Sequence, residues 1–160
     1  MKVVVPFTDV SSETRDALAG VDAEYVDVSS SDDAYWNLLS DLWTSGADFV
    51  VVEQDIVVHP TALDELDACP YDWCAFPYGY GHWGLHYGLG CVKFSGALIK
   101  RNPDAILRVG VMSDGNHEKR HWCRLDCWLQ EVVLPGNGEH MHKHETVVKH
   151  LGHGNSHGCI

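Results

Sequence analysis

Glu53 and Asp55 stand two residues apart, flanking Gln54, where the apolar run "ADFVVV" gives way to "IVVHP". Two carboxylates at that spacing, fixed at the end of a buried strand, suit a divalent cation shared with phosphates. Mg²⁺ and Mn²⁺ take hard oxygen ligands, usually one or two carboxylates with water and substrate phosphate oxygens completing the shell. The same pair also fits solvated loop positions, and acid-x-acid spacing alone does not separate the two readings.

A third acid has a more unusual setting. Residues 117–133, "HEKRHWCRLDCWLQEVV", read as a helix on which Trp122, Leu129 and Val133 share one face, with Asp126 inside that arc. A carboxylate on an apolar face needs a partner or a task, because burying it unpaired is costly. It either pairs with Arg101 or Arg124 at the core margin, or serves as a general base that deprotonates an acceptor hydroxyl. The loop "YGYGHWGLHYG" offers Trp83 and His86 as a sugar platform or lid, since aromatic faces stack on sugar rings and glycines permit closure. A Gly-loosened hairpin with its aromatics folded into the core fits the same residues.

The elements needed to hold these groups are legible. "KVVVPF" is an all-apolar run of the kind found in a central parallel strand. A short helix follows, with Asp9, Ser11 and Ser12 as cap candidates and Gly20 as its stop, and then a second strand, "AEYVDV". "SSSDDAYWNLLSDLWTSG" predicts a helix capped by Ser31, with Tyr35, Leu38, Leu39, Leu42 and Trp43 on one apolar face and Gly46 at its end. "ADFVVVE" is the third strand. Alternation of strand and helix implies an α/β domain with a mostly parallel central sheet flanked by helices. In such sheets ligands bind beyond the carboxyl ends of the strands, where Glu53 and Asp55 lie. Farther on, Pro60 opens a short helix, "YDWCAFPYG" reads as a strand, "CVKFSGALIKR" as a strand interrupted by Gly96, and "ETVVKHL" as a last strand.

Composition excludes several classes. At 160 residues, 45% apolar and 21% charged, the chain is expected to form one globular domain over residues 1–160. It carries no apolar run near the roughly 20 residues that cross a bilayer, and no cleavage-site pattern, so the expectation is a cytoplasmic protein with mostly reduced cysteines. A net charge of −12 argues against a generic nucleic-acid coat. The charge is uneven: residues 1–92 balance at −14, residues 93–160 at +2, with eight of eleven histidines from His117 onward. Either surface charge is scattered at random, or the second half faces something anionic.

"ADFVVVEQDIVVHPTALDEL" resembles the central segment of the GT-A glycosyltransferases, where a strand ends in an acid-x-acid motif before an apolar pair, a Pro and a short helix. "VVVPFTD" is similar to that family's first strand, whose loop receives the nucleotide base, which implies donor contacts at Pro6, Phe7 and Thr8. "YVDVSSSDDAYWNLLSDLWTSGADFVV" is similar to its second strand and the helix into the motif, adding Asp32. "GCVKFSGALIKRNPDAI" resembles the segment whose "-SG-" turn precedes a pocket-lining strand, implying Ser95 and Gly96. "TVVKHLGHGNS" resembles the closing segment that gives a His to the metal, here His150 or His153. The motif's first position is Glu53 where the family usually has Asp, and the chain is short for the family.

The resemblance implies a Rossmann-like GT-A domain that moves a sugar from a nucleotide-diphosphate sugar, UDP-linked by preference, with Mn²⁺ or Mg²⁺. Residues 1–92 would form the nucleotide-sugar half, with Glu53, Gln54 and Asp55 as donor contacts, and residues 93–160 the acceptor and metal-completing half. Asp55 would ligate the metal, and Asp126 as base implies inversion. Compact transferases resembling this one occur in phage gene sets, in the host-cell cytoplasm, acting on hydroxymethylated DNA bases; a saccharide or peptide hydroxyl is the other acceptor implied.

Two rivals come from the residues. His117, His121, Cys123 and Cys127 lie within eleven residues and could close a tetrahedral zinc site in an interaction module. On one helix, however, the two pairs point in different directions, and no C-x2-C knuckle is present. Two carboxylates also permit glycoside hydrolysis, with Asp126 as second group, but a diphosphate-type site then has no purpose.

Overall fold

The computed structural model describes residues 1–79, 81–113 and 115–152, with Trp83 described by its backbone alone. Lys2–Phe7 forms β1 and Ser12–Ala17 a short helix, α1, capped by Ser11, whose hydroxyl accepts from the Thr14 amide at 3.0 Å. Ala23–Asp27 (β2), Ala34–Ser45 (α2) and Phe49–Val52 (β3) follow. Ile56–Val57 (β4) and Ala62–Ala68 (α3) lead to Trp73–Ala75 (β5). Tyr78–Gly79 (β6) pairs with Leu85–His86 (β7) in a hairpin, and Cys91–Phe94 (β8) returns to the sheet. Gly96–Arg101 (α4), Ala105–Arg108 (α5) and Trp122–Asp126 (α6) come next. The last of these widens into π-helix over Cys127–Val133 and ends in Leu134–Gly136 (α7). Two-residue strands, His142–Lys143 (β9) and Lys149–His150 (β10), complete the described elements.

Six strands form a mostly parallel sheet in the order β2-β1-β3-β8-β5-β9. Strand β8 alone runs against its neighbours β3 and β5. Alternate residues feed two cores. Val4, Phe49, Val51, Trp73 and Phe94 face α2, α4, α5 and the π segment, whereas Val3, Val5, Val50, Val52 and Cys74 face α1 and α3. This two-sided burial explains why β1 beyond Lys2, and β3 throughout, are apolar rather than alternating. Each valine or phenylalanine so buried contributes about 1.5–3 kcal/mol relative to exposure. Strand order reverses between β1 and β3, which is where an open α/β sheet presents a crevice.

Several expectations need correction. Asp33, not Ser31, is the N-cap of α2, and Ser31 contributes its carbonyl to the Ala34 amide. Gly46 does end that helix, at φ +67°. "YDWCAFPYG" breaks into β5 and β6 around Pro77, which has no N–H to give a ladder. "SGALIKR" is not strand: Ser95 caps α4 through its hydroxyl and the Leu98 amide (3.1 Å), and Ala, Leu, Lys and Arg then propagate the helix. The helix expected over 117–133 begins at Trp122. Its π segment has a wider turn than a 100° wheel assumes, so Trp122 is 42% exposed and Leu125 takes the buried place. The last strand shrinks to β10, paired with β4 outside the main sheet, and the sheet edge is β9, from the His-rich tract. No helix among the described residues is long and apolar enough to cross a membrane.

Candidate functional site

A cavity of about 830 Å³ opens beyond the carboxyl ends of β1 and β3. Pro6 and Thr8 line it from the end of β1, and Glu53, Gln54 and Asp55 from the turn after β3. His86 enters from β7, Asp126 from the end of α6, and His150 from β10. Eight of the residues singled out for donor, metal, acceptor or base roles therefore meet in one cavity.

Gln54 holds the wall together. Its side-chain oxygen accepts from the Thr8 amide (2.6 Å), the Thr8 hydroxyl (3.2 Å) and the Asp9 amide (3.0 Å). Its backbone carbonyl accepts from the Ser11 amide at 3.1 Å. Gln54 thus ties the loop after β1 to the loop after β3, closing the switch point.

Glu53 lies at the floor, half-buried, and accepts from the Tyr35 hydroxyl at 3.0 Å. Burial, joined by the charges of Asp126 and Asp55, pushes its carboxyl up to about 8, against the Tyr35 hydrogen bond, which lowers it. The charges of Asp126 and Asp55 thus raise the cost of a charge on Glu53, a cost that a cation in the cavity would offset. Tyr35 belongs to the predicted apolar face of α2; its ring is core and its polar tip is in the site, a division that aromatic side chains allow.

Asp55 Oδ2 and His150 Nε2 stand 3.1 Å apart, both side chains nearly enclosed. Register makes the pair: His150 sits opposite Ile56 in the β10–β4 ladder, and the Leu151 amide donates to the Asp55 carbonyl at 2.9 Å. A carboxylate oxygen and an imidazole nitrogen facing one acid-rich cavity form an O/N donor set that fits Mn²⁺, with phosphate oxygens and water supplying the rest.

Asp126 does not pair with Arg101. Arg101 binds Asp72 and Glu139 instead (2.8 and 2.9 Å). Asp126 Oδ2 lies 3.2 Å from His86 Nε2, and its Oδ1 accepts from the Cys127 amide at 2.7 Å, where α-helix becomes π-helix. The hydrogen bond to Asp126 holds His86 above the usual imidazole range, against partial desolvation. Gly88 is the residue that sequence reasoning missed. A Cβ built there would lie 2.6 Å from both Asp126 Oδ2 and His86 Nε2, and would also meet the Tyr78 hydroxyl. Its place within a glycine-rich loop was the available signal.

Other candidates lie elsewhere. Phe7 ends β1 without lining the cavity, and Asp32 is exposed, with its carboxylate 3.7 Å from His121 Nε2. Ser95 and Gly96 sit at the opposite end of the sheet, because β8 runs antiparallel. Ser95 donates to Asp72 (2.8 Å) and the Gly96 amide to Asp48 (2.7 Å). His153 and the Trp83 side chain lie outside the described residues. Of the zinc set, Cys123 and Cys127 do line the cavity; His117, His121 and Cys123 bring donor atoms within 4.8 Å of one another, and Cys127 stays out of that group.

No family model and no curated protein matches this chain. Among solved structures it is similar to A197 from STIV, with a TM-score of 0.55 at 11% identity, covering 90% of this chain and 82% of that one. It is likewise similar to a glycosyltransferase involved in the glycosylation of the major capsid of PBCV-1, with a TM-score of 0.55 at 10% identity, covering 94% and 91% of the two chains. The fold is therefore glycosyltransferase-like.

Proposed function

We propose that this chain is a metal-dependent glycosyltransferase of the GT-A kind, moving a sugar from a nucleoside-diphosphate sugar, UDP-linked by preference, to a hydroxyl acceptor. The observation that carries the reading is the meeting of the Asp55–His150 pair, Glu53 and the Asp126–His86 pair in one cavity at the switch point of the sheet. The likeness in fold to a glycosyltransferase agrees with it.

Thr8 and Pro6, braced by Gln54, receive the nucleotide base, and Glu53 receives a ribose hydroxyl. Asp55 and His150 hold Mn²⁺ or Mg²⁺, which when bound offsets the charge that builds on the departing diphosphate. Asp126 takes the proton of the acceptor hydroxyl as that oxygen attacks the anomeric carbon. The bond from that carbon to the diphosphate oxygen breaks, the nucleoside diphosphate leaves with its electron pair, and the configuration inverts. Both halves of the chain are needed, residues 1–92 for the donor and 93–160 for the base and the completing histidine, within one domain acting in the cytoplasm.

The acceptor is better matched by a saccharide or peptide hydroxyl than by a hydroxymethylated DNA base. Two bases of the second half that would track a phosphate backbone are paired within the chain, Arg101 with Asp72 and Glu139, and Lys149 with Glu13. The test is release of nucleoside diphosphate from a panel of nucleotide sugars with Mn²⁺ and a saccharide, peptide or modified-DNA acceptor. Asp126→Asn should lower transfer by about 10²–10⁴-fold while nucleotide binding persists. Full activity in that variant, or a product of retained configuration, removes Asp126 as base.

A further inference from the structure

We propose that Cys69, Cys74 and His144 form a Zn²⁺ site outside the cavity, which staples α3 and the sheet edge together. Three elements converge there. Cys69 is the C-cap of α3, Cys74 lies in β5, and His144 follows β9, its amide donating to the Ala75 carbonyl at 3.0 Å. Their ligand atoms all lie within 4.8 Å of one another, a separation that a tetrahedral ion with Zn–S near 2.3 Å and Zn–N near 2.0 Å can draw together.

The imidazole carries the second observation. Its ring stacks on Phe76 at 4.4 Å between centroids, and its Nε2 is buried with no hydrogen-bond partner among the described residues. A buried polar nitrogen without a partner is costly, and an ion beside it, or a water on that ion, removes the cost.

Soft and borderline donors select zinc over the hard cations of the cavity. Both cysteines are buried. Zinc is held by thiolates, so binding releases two thiol protons to solvent, and the two thiolates neutralise the ion. Lys93 does not compete for the site's donor atoms: its ammonium is held by the Leu66 and Cys69 carbonyls at 2.8 and 2.6 Å. Water fills the fourth position. The staple matters because β9 is a two-residue strand, tied to β5 by a register of two pairs. The other cluster, His117, His121 and Cys123, is a poorer zinc site. It has one thiol, and His121 Nδ1 already accepts from the Cys123 amide while Nε2 faces Asp32.

The test is metal analysis of the full chain, followed by replacement with Co²⁺. The expected results are one equivalent of zinc, a cobalt spectrum with thiolate charge-transfer intensity for two cysteines, and an affinity that rises with pH. Zinc should be lost in His144→Ala and Cys69→Ser and kept in Cys123→Ala. Should the cysteine variant fail to fold, the cobalt spectrum of the unaltered chain decides. Protein that binds no stoichiometric zinc, zinc that survives His144→Ala or departs with Cys123→Ala, or a Cys69–Cys74 disulfide in freshly purified protein overturns the proposal.

Discussion

His86 Nε2 lies 3.2 Å from Asp126 Oδ2, and the bare backbone of Gly88 passes beside both atoms. The pair joins β7 to the point where α6 becomes π-helix, so two irregular parts of the chain fix each other. Its titration follows from that contact. Asp126 raises the His86 pKa, and a raised imidazole contributes stability that is fully present below the unfolded value near 6.5 and is lost as pH rises through the folded value.

Denaturant unfolding of the unaltered chain and His86→Ala should therefore differ by on the order of 1 kcal/mol at about pH 5.5, with a smaller gap at about pH 9. His86 also loses its charge beside the proposed base in that window, so kcat should change there, and His86→Ala should lose that change. A gap that widens with pH contradicts the pairing.

Gly88→Ala separates packing from folding. Its added methyl collides with the reactive ends of Asp126, His86 and Tyr78 rather than with backbone. A stability cost of about 1–3 kcal/mol is expected, the range for overpacking. Transfer should fall by about 100-fold, the scale for misplacing a reacting group by an ångström. Unchanged kcat removes Gly88 from the site.

Gln54→Ala cuts the three hydrogen bonds that tie the loop after β1. KM for the nucleotide sugar should rise by about tenfold while kcat changes little, because the loss falls on donor binding in ground and transition states alike. A fall in kcat at constant KM contradicts a bracing role.

How much of this was legible follows from how far each feature depends on distant residues. β1 beyond Lys2 and the whole of β3 are apolar because both sheet faces are covered, and α2 shows a full helical period, so each announces itself. The turn after β3 inherits its place from that strand, and Glu53 and Asp55 were legible with it. His86 and Asp126 were legible as residues and not as partners, since the β6–β7 hairpin is too short to show a period and the π segment breaks the wheel. Strands β9 and β10 have two residues each, and tertiary register alone defines them. Ser95 misled for a local reason: a cap residue directly after a strand reads as a turn within it. Cys69, Cys74 and His144 come from three elements, and no spacing along the chain announces that cluster.

The central claim is that Asp55 and His150 hold a cation on which the donor's diphosphate depends. Thermal unfolding of the unaltered chain and Asp55→Ala, each with UDP, with Mn²⁺ and with both, tests it most directly. Ligand at about 100 times its Kd stabilises the folded chain by about 2.7 kcal/mol, which for a domain of this size is a rise of several degrees. The account predicts that rise when UDP and Mn²⁺ are present together, little from either alone, and none in Asp55→Ala. An equal rise with UDP in the absence of Mn²⁺, or the same rise in Asp55→Ala, contradicts it.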